Sequence, residues 1–567
     1  MKTIVWLVML LLLMPVVLAG QGHMKLLAVR EVNGTYEGST ADLFLETKPG
    51  SGRVFLETFP LTKMDTQIST RFAKEIACNF FELDCDNYDF IYTIKSTSSI
   101  VGGPSAGAAI AALTTIVMKE LEIEESMTVT GTINSGGIVG PVGGLKAKIE
   151  AAAQEGIKVA LIPQGTKIQK EDNKTIDLKK YGKEKGVLVL EVTDLNELVL
   201  FFSGKQLRSD NYEIKVDEEY FEIMQRLGNL LCDRTGDLQE ELGDYKIKDK
   251  EERERLENKT IKGEKSLEEG NYYSAASFCF GANVQLKTLL YEKENLSQEE
   301  IEQRMIRIEK ELQDFEDEIK GKELETITDL QTYGIVLERI NEGKENLERL
   351  KETNNTYYLA FAEERLFSAQ SWSHFFAMSG KKFELDAGAL EQSCLEKIQE
   401  AKERYQYVGL FFTGNIVDLT KDIEKEEAIY ESGDYKYCLI RASQTKAEAN
   451  AILSSIGVGE EQVDELVDNK LAAVERSLAR TISKGAFPIL GYSYYQYANS
   501  LRDDVSLSLI YAEYALEFGN LDIYFEEKTE FNGVGVQPEF WIFIFGGIFG
   551  VAVVLLIYNL TKKKEDT

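Results

Sequence analysis

Two stretches decide how this chain is read: Val101-Gly102-Gly103-Pro104-Ser105-Ala106-Gly107 and Gly143-Gly144-Leu145-Lys146-Ala147-Lys148. In the first, glycines and a proline give way through Ser105 to the small-residue run AGAAIAALTTIVM, which reads as a buried helix. A serine at a helix start has backbone N–H groups around it and the positive end of the helix dipole behind it. That setting suits a nucleophile whose substrate oxygen becomes negative. In the second, Lys146 follows two glycines and opens an alanine-rich helix, KAKIEAAAQEG. An ammonium held among apolar atoms loses hydration, so its pKa falls and the free amine can take a serine proton. Gly102 and Gly103 would let an extended peptide approach the backbone, and Gly143-Gly144 would make the tight turn that sets Lys146 beside Ser105. A plain turn explains either glycine pair equally well in isolation.

Taken together the two stretches resemble the proteolytic domain of Lon proteases. Gly103 to Gly107 reads GPSAG, as in that family's nucleophile motif, and Gly143 to Lys148 reads GGLKAK, as in its lysine motif. The sequence between them, MTVTGTINSGGIVGPVGGLK, is similar to the family's threonine-glycine strand and hairpin without a gap. The likeness continues through KMDTQISTRFAKEIA upstream and EGIKVALIP downstream, and so covers roughly residues 25–203. The resemblance implies an α/β proteolytic domain with a Ser–Lys dyad. Ser105 would be the nucleophile, Lys146 the general base and Thr130 the hydroxyl that holds the lysine amine, with Gly103, Pro104 and Gly144 as supporting residues. It implies no cofactor, a substrate lying as an added strand beside the loop before Ser105, and a homo-oligomer by analogy with ring-forming relatives. The pattern departs from ATP-dependent relatives at Gly102, where they carry an acid, and at Thr132, where they carry glutamate. Strand Phe90 to Ile94 also lacks the histidines of some relatives. The alternative from another class is a non-catalytic Lon-fold scaffold or binding protein. In it Ser105 caps a helix, Lys146 is a surface charge, and the work is done by the helical region.

The whole chain narrows the function further. At 567 residues it is long enough for two or more domains. A formal charge of −31 argues against a nucleic-acid surface and against docking to anionic lipid by a basic face. The two histidines, His23 and His374, sit in no recognisable catalytic motif. No HExxH, paired CxxC or GxxxxGK[ST] occurs, so neither a zinc site nor an ATPase module is expected. Lys2 precedes the apolar run Ile4 to Val17, and Val17-Leu18-Ala19 ends it with small residues, as in a secretory signal over 1–19. Phe540 to Tyr558 carries no charge, with aromatic residues at its edges and Lys562-Lys563-Lys564 beyond. It reads as a transmembrane helix over 540–559, with 560–567 as a cytoplasmic tail and the chain between outside the cell. Membrane lipid and polypeptide substrates are thus the expected partners, in an archaeal-type protein without its own ATPase.

Cysteine usage fits an oxidising compartment. Cys78, Cys85, Cys232, Cys279, Cys394 and Cys438 allow fifteen connectivities, and pairing of sequence neighbours is the working expectation. Sequons at Asn33, Asn173, Asn258, Asn295 and Asn354 make a glycoprotein the corresponding expectation.

Along the first domain, alternation predicts strands over Lys25 to Val32, Thr40 to Glu46 and Val54 to Thr58, with Gly34 to Gly38 as a turn. Fourfold spacing of Ile68, Phe72, Ile76 and Phe80 predicts a helix over Asp65 to Phe80. Asp89 to Lys95 should be the strand that leads to Ser105. Strands over 127–133, 159–162 and 188–192, the Lys146 helix and a closing helix over 195–202 complete an α/β domain, with Asn173 to Lys185 as an exposed excursion. Beyond Gly204 the sequence turns Glu- and Lys-rich, and 205–532 is expected to be all-α. Met305, Ile308, Leu312, Phe315 and Ile319 form a heptad-like seam against which a helix over 324–350 could fold back. Ser266 to Tyr272 and Ile429 to Tyr435 share a Gly-Asn/Asp-Tyr turn between two helices, as in helical-hairpin repeats. Phe531 to Pro538 reads as a linker.

Overall fold

Residues 20–32, 35–59, 64–96, 104–171, 174–208, 213–409, 420–456, 458–459 and 462–528 are described by the computed structural model. The stretches expected to be a signal (1–19), a linker, a membrane helix and a tail (531–567) lie outside these residues, as do Asn33, Asn173, Gly102 and Gly103. Among the described residues no helix is long and apolar enough to cross a membrane.

The first half is built on a mixed sheet. β1 (Gln21–Val32) and β2 (Thr35–Pro49) pair antiparallel along their whole length. β2 also pairs with β4 (Tyr88–Ser96), which takes β3 (Val54–Phe59) at the outer edge. On the other side β1 meets β5 (Met127–Val129), β8 (Val159–Pro163) and β11 (Leu188–Val192) in parallel, giving the order β11-β8-β5-β1-β2-β4-β3. Of the turn expected over 34–38, residues 35–38 are strand instead: Gly38 pairs with Val29. The reason is packing, since a Cβ at Gly38 would stand 2.0 Å from the Ala147 carbonyl oxygen of the lysine-bearing helix. The glycine buys close approach rather than a reversal.

The helix after Ser105, α2 (Gly107–Met118), is apolar on every side and buries all but its last residue. A helix of that composition belongs inside. It packs on α1 (Met64–Phe81) and on α5 (Leu195–Ser203), against the sheet. The predicted single strand over 127–133 is interrupted. After β5 the chain leaves the sheet at Thr130 and returns as a small hairpin of β6 (Thr132–Asn134) and β7 (Ile138–Gly140). The stretch expected as an exposed excursion over 173–185 is folded yet largely exposed: β10 (Lys174–Asp177) pairs with β9 (Ile168–Glu171), and helix α4 (Leu178–Lys185) buries only Leu178 and Gly182 among its residues.

Among the described residues the regular elements of the second half are all helices. The seam of Gln298–Lys320 buries Ile308, Leu312 and Ile319, and Leu312 lies against Gly343 of the returning helix Ile327–Thr353. The two similar turns are alike in space as well. Gly270 and Gly433 both take left-handed backbone, φ +76° and +82°, and Asn271 and Asp434 then begin Tyr272–Glu294 and Tyr435–Ser455. Disulfides join Cys78 to Cys85, Cys232 to Cys279 and Cys394 to Cys438.

The two halves share an interface rich in buried charge. Arg404 reaches Glu75 at 2.5 Å, Lys446 reaches Glu75 at 3.2 Å and Glu400 at 2.6 Å, and Arg476 reaches Asp194 at 3.0 Å. Tyr407, Val408, Ala449 and Leu453 join the apolar core of the sheet domain. The hairpin tip, Ser135 to Gly137, is seated among Lys470, Ala473, Glu513 and Leu516.

Candidate active site

Ser105 lies in a one-turn 3-10 segment, Pro104–Ala106, that runs directly into α2. It does not cap that helix: Ala106 is the N-cap and no side chain bonds the first turn. Ser105 is half-buried, and its hydroxyl makes no hydrogen bond among the described residues. Its backbone is held instead. The Gly131 N–H donates to the Ser105 carbonyl at 3.0 Å, and the Ala108 N–H donates to the Gly131 carbonyl at 3.1 Å. These two bonds clamp the serine turn to the point where β5 leaves the sheet. Thr130, next to the clamp, is tied by its own N–H to the Leu161 carbonyl at 3.1 Å and is buried.

The residue that Thr130 holds is Lys148, not Lys146. Lys148 Nζ donates to Thr130 Oγ1 at 2.9 Å, and its side chain is among the largest fully buried ones of the chain. Burial alone pushes its pKa down from 10.5 to about 7. The Thr130 contact expected of Lys146 is therefore made by Lys148, and the reason is helical geometry. Gly144, with φ +68°, turns the chain into α3 (Leu145–Gln154), and successive residues then advance by about 100°. Leu145, Lys148, Ile149 and Ala152 fall on one stripe, and all four are buried. Lys146, two residues before Lys148, points elsewhere and is only half-buried; its backbone N–H meets the Gln169 side chain at 3.3 Å. The spacing 145, 148, 149, 152 was available in the sequence as a helical face that contains a lysine.

Of the other expected site residues, Pro104 lies in the serine turn and Gly144 is the left-handed cap of the lysine helix. A side chain at Gly144 would be strained by its backbone and would meet Val29 at 2.9 Å. A Cβ at Gly107 would stand 3.1 Å from the Ile133 backbone nitrogen, so this glycine lets the start of α2 lie close against β6. Among the described residues no group of His, Cys, Asp or Glu could hold a metal ion. The arrangement can thus offer a hydroxyl at a helix start and a desolvated amine bonded to a neighbouring threonine.

Residues 89–195 match the model of the Lon protease (S16) C-terminal proteolytic domain. The chain is 33% identical over 128 residues to the Lon protease of Paraburkholderia phytofirmans, covering 21% of this chain and 16% of that protein. It is 38% identical over 80 residues to the archaeal Lon protease of Methanothermobacter thermautotrophicus, covering 14% and 12%. To the archaeal Lon protease of Archaeoglobus fulgidus it is 32% identical over 125 residues, covering 22% and 20%. The chain spans a fifth or less of the length of these relatives, and the similarity is to a Lon protease proteolytic domain.

Proposed function

We propose that the chain is a serine endopeptidase with a Ser105–Lys148 dyad, working without ATP on unfolded or extended polypeptides. The observation that carries this is the buried amine of Lys148 on Thr130, one residue from the Gly131 that clamps the Ser105 backbone. Lys148 as free amine takes the Ser105 proton while the alkoxide attacks the peptide carbonyl. N–H groups at the start of α2, with the helix dipole behind them, face the oxygen that becomes negative. Lys148 then returns the proton to the leaving amine, and a water deprotonated by the same amine releases the acyl group. Anchoring by 540–559, with the catalytic domain outside the cytoplasm after a signal over 1–19, belongs to the same proposal and is supported by the sequence patterns alone.

The purified full-length protein, without nucleotide, is expected to cleave a casein-like unfolded chain, and Ser105→Ala is expected to lose that activity. Cleavage that survives in Ser105→Ala, or that requires ATP, contradicts the proposal.

The pH dependence follows from the desolvated amine. Lys148 is a base only when deprotonated, so kcat/KM should rise with pH through one ionisation near 7 and level off above it. A pH–rate profile on a fixed peptide measures this. A profile that falls between pH 6 and 8 would show that no neutral lysine is at work.

A further inference from the structure

The helical body contains a chamber of about 420 Å³ that the peptidase reading does not use. Its walls come from Tyr272–Glu294, Ile327–Thr353, Thr356–Trp372, Tyr435–Ser455, Ile489–Ser500 and Val505–Phe518. Most of its acids are engaged. Glu342 pairs with Arg365 at 2.6 Å, Glu338 accepts from Gln444 at 2.9 Å and faces Arg441 at 3.9 Å, and Glu448 accepts from Tyr514 at 2.6 Å.

Its donors are in surplus. Arg339 uses only Nε, which donates to Ser368 at 2.9 Å, and its guanidinium carbon lies 5.2 Å from the centre of the Trp372 ring. Neither Nη group of Arg339 meets an acceptor among the described residues. The hydroxyls of Tyr273, Tyr494, Tyr497 and Tyr511, which line the same chamber, also lack a hydrogen bond to any described residue. Tyr273 and Tyr494 are only 5% and 4% exposed, and a phenol that deeply placed normally has a partner. Burial raises the pKa of all four phenols, so they stay protonated donors. Both Nη groups of Arg339 and the four phenol O–H groups can donate to one ligand, and a carboxylate, with about four lone-pair sites on two oxygens, matches the guanidinium in charge and geometry.

We propose that this chamber binds a carboxylate, namely the C-terminal carboxylate of a peptide, with Arg339 as counter-ion and the four phenols as hydrogen-bond donors. The choice of a peptide end rests on the peptidase reading, because each cleavage creates such an end. The chamber's volume lies in the range of small-ligand sites and would accept a terminal residue with its carboxylate. A site of this kind, away from Ser105, would hold a chain by its end while the dyad acts elsewhere along it, or retain a product.

Trp372 in the wall provides the readout. Full-length Ser105→Ala protein is titrated with a short neutral peptide bearing a free C-terminal carboxylate and with the same peptide as C-terminal amide. Tryptophan fluorescence and calorimetry are recorded, with acetate and inorganic phosphate as small-anion arms. The free acid should bind about tenfold or more tightly than the amide, and Arg339→Gln should lose about that factor. Tyr494→Phe and Tyr511→Phe, which remove one hydroxyl each, should weaken the acid severalfold and leave the amide unchanged. Should Arg339→Gln fail to fold, these two variants decide the matter. Equal binding of acid and amide, or indifference to the hydroxyls, overturns the site. Acetate or phosphate binding as tightly as the peptide overturns the peptide assignment. Because the measurement uses an inactive serine variant, it stands whether or not the wild-type protein hydrolyses peptides.

Discussion

Lys148→Met is expected to reduce peptide hydrolysis by about a thousandfold or more, whereas Lys146→Met should leave most of it, as befits loss of a general base against loss of a peripheral charge. The two lysines are two residues apart on α3, so any effect on local helix propensity is shared, and the difference isolates chemistry. Lys148 is buried, with its amine on Thr130; Lys146 is half-buried and off that stripe. Stability should move the other way. The folded pKa is about 7 and the unfolded value 10.5, so between those limits the unfolded chain holds a proton that the folded one has released. Stability therefore rises with pH across that window, and the cost of burying Lys148 is fully present below about 7. Methionine lacks that cost, so Lys148→Met should melt higher than wild type at pH 7, by a contribution of a few kcal/mol at most. The gap should narrow as the pH approaches 10. Inactivity combined with greater stability at pH 7 is a signature that mere misfolding cannot produce. Retained activity in Lys148→Met, together with its loss in Lys146→Met, would return the base to Lys146.

The same pair of residues shows what could and could not be read from the sequence. Local rules were sufficient wherever a pattern had one solution. Fourfold spacing at Ile68, Phe72, Ile76 and Phe80 lies in α1, and the apolar run after Ser105 is a buried helix. The seam from Met305 to Ile319 lies on one helix that packs against the next. Choosing between two lysines in GGLKAK needed the rotation of α3 relative to the sheet. That rotation is set where Gly144 turns the chain and where Gly38 lets a strand lie against Ala147. The stripe of Leu145, Lys148, Ile149 and Ala152 carried the answer, but a lysine within an apolar stripe reads as a flaw in the pattern until the fold shows it buried. The break at Thr130–Gly131 was hidden for another reason. The β-type residues from Met127 to Ile133 read as one strand, and Gly131 alone hints that the backbone leaves the sheet to clamp Ser105. The contact of the hairpin tip with the helical body joins residues hundreds of positions apart, and nothing local announces it.

That last contact carries the largest expected effect on stability. Lys470 Nζ lies 2.5 Å from Glu513, and neither side chain is exposed at all. Lys470 also donates to Ser135 Oγ at 3.1 Å and to Ser454 Oγ at 3.2 Å, while the Ser135 hydroxyl donates to Glu513 at 2.5 Å. Removing one member leaves the other charged, buried and uncompensated, which costs about 3–5 kcal/mol. Lys470→Met and Glu513→Gln should each lower the denaturation midpoint by an amount of that order. A joint replacement, Lys470→Met with Glu513→Leu, should recover much of it, because two apolar side chains leave no stranded charge. Peptidase activity separates packing from positioning. Ser135 begins the tip of the hairpin that descends from Thr130-Gly131, so the network seats that hairpin on the helical body. If it also sets the Ser105 clamp, the joint variant should fold stably yet show a lower kcat, with Ser135→Ala showing a smaller drop in the same direction. Equilibrium denaturation of the four variants beside single-turnover kinetics tests both parts. Single variants as stable as wild type would mean that the pair is not isolated from water, and full kcat in the joint variant would confine the network to holding the two halves together.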